Sequence, residues 1–221
     1  MHFTKLILQT VVPEVLYDFY RNDLQLQAQK LSIDVFEIIT RDTIIRFIPA
    51  VQNTSPTYHF ALNIPSNKII EAHDWLKEHV PLLWLKEYNS EIADFVNWNA
   101  KSVYFIDPAG NVVELIARFD LQDDEQATFS PLQIRNVSEI GLVLGVDNFE
   151  EQITAFMHGF SLRYFDKQPP LPSFRAIGNN HGLFIAVPEN RVWYPTTNSV
   201  SKKAPVHIEW TDGTNTFSYT Q

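Results

Sequence analysis

The sequence predicts an α+β fold in which β-α-β-β-β units pair to form a cup-shaped mixed sheet. Three observations point there. A short apolar strand, a helix-start signal and an amphipathic helix follow one another in three places. Two or three strand-like runs come after each helix. One of those runs doubles back through "IDPAGNVVELI", where Pro108 fixes φ at the second turn position and Gly110 takes the left-handed position that closes a hairpin.

The first unit is "KLILQTVVPEVLYDFYRND". Pro13 suits the first helical turn, Glu14 suits the positive end of the helix dipole, and Val15, Leu16 and Phe19 recur at helical spacing. Its strands are expected in "KLSIDVFEIIT" and "TIIRFIPAV". The second unit opens on "HFALNI". Ser66 or Asn67 is expected to cap a helix whose stripe is Ile69, Ile70, Ala72, Trp75 and Leu76, before the hairpin "SVYFID"/"NVVELIARF". In the third, Asp147 or Asn148 is the expected cap, with Glu150 and Glu151 in the first turn. "LRYF", "FRAIG" and "GLFIAV" follow. "VHIEWTDG" then resembles one more opening strand.

Uneven spacing of the strand openings excludes a solenoid repeat. Residues 119–133 are polar, acidic and without periodicity. They read as a linker between a two-module domain, 1–120, and a C-terminal single module with an extra strand, 134–221.

With 221 residues, 45% of them hydrophobic, the chain can bury a substantial core. A net charge of -9 and no Lys/Arg cluster argue against nucleic acid as a partner. The absence of cysteine excludes disulfides, thiolate metal sites and Cys nucleophiles. No apolar run has the length of a membrane span, and the N-terminus has no leader pattern, so a cytoplasmic location is expected. Phosphate-loop, dinucleotide and Ser-His-acid patterns are missing.

"DFY" at the end of the first helix, "HFAL" opening the second module and "IDPAGNVVELI" closing it together resemble the vicinal oxygen chelate superfamily. That superfamily includes glyoxalase I, extradiol dioxygenases and bleomycin-resistance proteins. The resemblance covers residues 1 to about 120 well and the C-terminal part more loosely. It implies two modules curled around a divalent ion, each supplying one ligand from its first strand and one from its last.

The second module matches that pattern with His59 and Glu114. In the first module Lys5 and Arg46 stand at the ligand places, and neither offers a lone pair while protonated. Sliding the register would bring in Gln9, on the same strand face as Lys5. The resemblance therefore implies a metal site that has lost half its ligands, and no cofactor is expected. A divalent ion (zinc, nickel, iron or manganese) on His59 and Glu114 is the alternative.

Glu114 lies in a strand with apolar residues on both faces, so its carboxylate needs a partner. Three readings stay open: an ion pair with Lys5 or Arg46 filling a vacated site, the same charges lining a pocket for a small anionic ligand, or a surviving metal centre. Trp98 joins Lys5, Arg46, His59 and Glu114 as an expected ligand-binding residue, because Trp84, Tyr88, Phe95 and Trp98 form an aromatic loop able to wall a cup.

Other residues stand out. Glu139 opens the third module at the place corresponding to His59, and with His207 and Glu209 makes a further possible metal set. Arg191, Trp193 and Tyr194 form an aromatic-cationic patch, suited to packing or recognition. His73, His79, His158 and His181 read as surface or capping residues. No catalytic residue is assigned. The function expected is binding of a small organic ligand in the N-terminal cup. A metal-dependent lyase, isomerase or dioxygenase-type enzyme is the alternative, and a structural role is a third. An incomplete last module could complete its sheet against a second copy, giving a homodimer.

Overall fold

The computed structural model describes residues 1–52 and 54–221. Two mixed sheets form. The first is ordered β13-β12-β1-β4-β3-β2, with β1 at His2–Thr10, β2 at Ala28–Lys30, β3 at Phe36–Ile39, β4 at Ile44–Pro49, β12 at Val206–Thr211 and β13 at Thr216–Thr220. The second is ordered β10-β11-β9-β5-β8-β7-β6. It comprises β5 at His59–Ile64, β6 at Ile92–Phe95, β7 at Ala100–Ile106, β8 at Val112–Arg118, β9 at Val137–Leu144, β10 at Arg175–Asn179 and β11 at Gly182–Pro188. This second sheet curls round a cavity lined by His59, Glu114 and Glu139.

The expected strand runs form with two exceptions: "LRYF" makes only an isolated bridge, Tyr164 to Ile177, and one run is split. "KLSIDVFEIIT" divides into β2 and β3, because Leu31 N–H turns back to the Val35 carbonyl (2.8 Å) around an exposed Ser32-Ile33-Asp34 tip. The Asp107–Asn111 turn is as expected, with Gly110 at φ +86°.

The helices are α1 (Pro13–Asp18), continued by a π-helical turn over Phe19–Asp23, α2 (Ile69–Lys77) and α3 (Phe149–Gly159). Pro13 stands in the first turn of α1 and Asn148 is the N-cap residue of α3, without a side-chain cap bond. Ser66 and Asn67 do not cap α2, whose N-cap residue is Lys68. The Ser66 hydroxyl instead donates to Asp123 Oδ1 (3.0 Å), and the Asn67 amide donates to the Glu125 carbonyl (3.0 Å). The 119–133 segment is thereby fastened along the start of α2, and Glu71 also accepts the Phe129 N–H at 2.7 Å.

The N-terminal helical segment and α3 pack between the sheets, and α2 packs on β7 and β8 of the second sheet. From the N-terminal helical segment, Tyr20 stacks on Phe47 of the first sheet and Phe19 meets Phe105 of the second. From α3, Phe156 packs edge-on against Phe184 of the second sheet and Tyr219 of the first. One continuous core results, running from Phe3 to Trp210. Such burial, at about 25 cal/mol per Å² of apolar surface, is the main force holding the sheets together.

Which modules pair is not what the sequence led us to expect. The first and second modules do not share a sheet. Antiparallel pairing of β5 with β9 joins the second module to the third, with Phe60 opposite Ile140 and Ala61 opposite Glu139. Antiparallel pairing of β1 with β12 joins the first module to the last two strands. Strands of 134–221 thus complete both sheets begun by 1–120, and the C-terminal strands close a sheet within the chain. The entropic cost of joining strand edges grows only slowly with the length of intervening chain, so proximity in sequence does not select the partner.

Candidate metal centre and pocket

The concave face of the second sheet follows from strand alternation. On β8 it presents Val112, Glu114, Ile116 and Arg118; on β5, His59 and Ala61; on β9, Glu139 and Gly141. Parallel register places His59 opposite Val112 and Ala61 opposite Glu114, so the His59 and Glu114 side chains sit diagonally across one strand pair. Glu139 arrives from the other side of β5, opposite Ala61.

His59, Glu114 and Glu139 are all buried and form the one such metal-capable group among the described residues, with their ligand atoms within 4.8 Å of one another. His59 Nε2 is 3.8 Å from Glu114 Oε2 and 3.9 Å from Glu139 Oε2. At the other ring position, Nδ1 lies 3.1 Å from the Val112 carbonyl. A carbonyl only accepts, so Nδ1 carries the hydrogen and Nε2 faces the two carboxylates. A lone pair facing two anions is unfavourable unless a proton or a metal ion lies among them.

The local electrostatics express the same demand. Burial lifts the Glu114 carboxyl to about 7, reinforced by the Glu139 charge and opposed by His59. Burial alone would depress the imidazolium of His59, but Glu139 and Glu114 outweigh it and hold His59 above its ordinary value.

Arg118, fully buried, steadies Glu139. Its Nη2 pairs with Glu139 Oε1, and its Nε donates to Ser138 Oγ at 2.9 Å. The pairing of β5 with β9 shifts register by one residue here, opposite Leu62 and Ala61. Such a bulge turns two successive side chains, Ser138 and Glu139, toward one partner. The guanidinium lies over Trp98 (5.4 Å) and Phe165 (6.0 Å).

A fourth ligand place can be read from register. His59 opposes Val112, and Glu114 follows two residues later. Glu139 opposes Leu183, and two residues later stands Ile185. Ile185 has no donor, so the protein offers three ligands on one side and an apolar surface on the fourth.

Above this base lies a cavity of about 260 Å³, walled by Phe95, Trp98, Tyr104, Phe174, Trp193 and Tyr194. Trp193 rests on Gly141, 2.7 Å from where a β-carbon would stand, with its ring 5.2 Å from that of His59. Gly141→Ala is therefore expected to push Trp193 into the cavity. It should lower stability by about 1–3 kcal/mol, the usual effect of overpacking, read by denaturant unfolding together with acrylamide quenching of tryptophan fluorescence.

Of the residues expected at a site, His59, Glu114 and Trp98 meet at this cavity. Lys5 and Arg46 do not. They lie on the other sheet, where Lys5 opposes Glu209 and Arg46 pairs with Glu37 (2.6 Å). Neither Lys5–Glu114 nor Arg46–Glu114 forms, because the first module's cup is closed by β12 instead of by β5. Gln9 accompanies Lys5 on β1. Glu139 parts company with His207 and Glu209, which lie on β12 and bond to each other (3.2 Å). Arg191, Trp193 and Tyr194 line the cavity. His73 and His79 act locally on and beside α2, through Glu91 and the Trp75 carbonyl.

Three comparisons with known proteins bear on the fold. No family model matches the chain, and no curated protein matches it. A solved structure from Bacillus subtilis, named as a candidate dioxygenase, superposes with TM-score 0.57 at 16% identity, covering 85% of this chain and 63% of that one. The chain thus spans under two thirds of that relative's length. A lactoylglutathione lyase from Agrobacterium tumefaciens (TM-score 0.39, 18% identity, 51% of this chain and 90% of that one) is also similar. So is a glyoxalase/bleomycin resistance protein/dioxygenase from Alicyclobacillus acidocaldarius (0.42, 15%, 54% and 94%). The structural neighbours are proteins of the glyoxalase/bleomycin resistance/dioxygenase superfamily. At these identities the likeness concerns the fold. No helix among the described residues is long and apolar enough to cross a membrane.

Proposed function

We propose that the chain holds a divalent cation on His59, Glu114 and Glu139 and uses it to bind, and act on, a small oxygen-bearing molecule in the aromatic cavity. The observation that carries this reading is the convergence of His59 Nε2 with two buried carboxylates while Nδ1 is tied to a carbonyl. That is the arrangement of a metal-binding histidine whose second nitrogen is oriented from outside the ligand set. Nitrogen and carboxylate donors bind at about 2.0–2.2 Å, so two donors that share an ion would lie no more than about 4.4 Å apart, and 3.8 and 3.9 Å meet that limit. One imidazole with two carboxylates suits manganese, iron, nickel or zinc.

A bound ion would polarise the oxygens of a ligand as a Lewis acid. The chain's own residues do the rest. Arg118 keeps Glu139 aimed at His59, Ile185 leaves one side of the base without a ligand, and the aromatic walls exclude water and orient a flat molecule. This reading places the ligand in the second sheet's cup, not in the N-terminal cup.

A second reading, a ligand-sequestering pocket without metal, has one observation in its favour: Ile185 stands at the fourth ligand place. Metal content decides between them. Purified protein incubated with manganese, iron, nickel or zinc and then desalted is expected to carry about one ion per chain, and His59→Ala is expected to carry none. A native protein that retains no ion under any of the four treatments overturns the metal reading.

A further inference from the structure

The charges lining the cavity do not balance. Glu139 is matched by the buried Arg118, and Glu114 faces His59. Arg191 lines the same cavity, and among the described residues no carboxylate lies within ion-pair distance of it. Its guanidinium reaches only the neighbouring Val192 carbonyl, at 3.4 Å, and lies over the Phe174 ring at 5.3 Å. A planar cation laid over an aromatic wall, with edge donors left free, is suited to a carboxylate, which guanidinium binds through paired N–H donors. Arg191 is half-buried and next to the exposed Val192, whereas His59, Glu114 and Glu139 are buried. The cation therefore stands toward the mouth and the three ligands toward the base.

Size narrows the ligand further. An apolar cavity of about 150 Å³ takes one benzene, so about 260 Å³ has room for one ring with its substituents. The walls Phe95, Trp98, Phe174 and Tyr194 offer faces and edges to such a ring.

We infer that the pocket takes a single-ring aromatic carboxylate, with the ring between the aromatic walls and the carboxylate on Arg191 at the mouth. The inference deepens the proposed function, on which it rests for the end of the ligand nearest the base; the Arg191 end stands without a metal ion. In a chain of net charge -9 an anionic ligand gains nothing from the overall field. The preference must come from this one side chain, which makes it testable by substitution.

Benzoate and benzamide, equal in shape and different in charge, are the probes. Their binding to the full chain is measured by calorimetry after chelator treatment and again after manganese loading, beside 3,4-dihydroxybenzoate and catechol. Chelator-treated protein is expected to bind benzoate at least tenfold more tightly than benzamide. Arg191→Met should remove that preference, Arg191→Lys should keep part of it, and both should leave thermal stability and metal content unchanged. Equal affinities for benzoate and benzamide, no binding of either, or a benzoate affinity untouched by Arg191→Met overturns the inference. Failure of the metal reading shows separately: manganese then neither binds nor strengthens 3,4-dihydroxybenzoate relative to benzoate, while the preference for benzoate over benzamide persists.

Discussion

Arg118→Met is expected to lower the unfolding free energy by about 3–5 kcal/mol, the usual consequence of removing one partner of a buried ion pair. The substitution keeps most of the side chain's volume and its contact with Trp98 and Phe165, so packing is largely spared. What remains is Glu139, buried beside Glu114 and without its guanidinium. Isolated charge in a dry site costs several kcal/mol, and a second carboxylate nearby makes the site worse. Adding Glu139→Gln to Arg118→Met should recover a large part of the loss, because the stranded charge is then gone. An ion that binds only the folded chain stabilises it by mass action, so excess manganese or zinc should raise the melting temperature of Arg118→Met more than it raises that of Arg118→Met/Glu139→Gln. Urea unfolding of the native protein, the single variant and the double variant measures this. A single variant within about 1 kcal/mol of the native protein would show that Arg118 does not carry the charge of Glu139.

Arg118 is also where the sequence could have been read further. The alternation that places Glu114 on the face of Val112 and Ile116 reaches Arg118 two residues on. What stayed hidden was the partner, since Glu139 lies on a strand of another module and a bulge fixes its direction. Local signals were legible because their physics is local: Pro13 in a first helical turn, the Asp107–Asn111 turn, and the apolar alternation of the strands. Pairing between modules is a competition among distant strand edges, and nothing within "KLILQ" or "HFALN" states whether β1 will meet β5 or β12. That single ambiguity moved Lys5 and Arg46 to the wrong cup. It also left Arg191, Trp193 and Tyr194 as a patch without a place, although they wall the same cavity as His59 and Glu114. The correspondence of Glu139 with His59 was visible from the modules alone. Its consequence needed the β5–β9 pairing.

Asp107→Ala is the second large effect expected, about 3 kcal/mol or more, and it tests the turn that first marked the fold. Asp107 is buried and accepts four hydrogen bonds. Oδ1 takes the Ala109 and Asn111 N–H groups, both at 2.9 Å, and Oδ2 takes the Asn111 side-chain amide and the Tyr20 hydroxyl, both at 2.7 Å. Asn111, held in this way, accepts the Tyr58 N–H through its Oδ1 at 2.8 Å and so ties the hairpin to the opening of β5, one residue from His59. Truncation leaves several donors buried without acceptors, and each such group costs about 1–3 kcal/mol. The costs do not add fully, because the turn can relax toward solvent. Tyr20→Phe isolates the one long-range member: alone it should cost about 1 kcal/mol, and combined with Asp107→Ala it should cost almost nothing more, since the two share one bond. Thermal and urea unfolding of the four proteins gives the cycle. If the two losses simply add, Tyr20 does not act through Asp107, and the first module is joined to the hairpin by apolar contact alone.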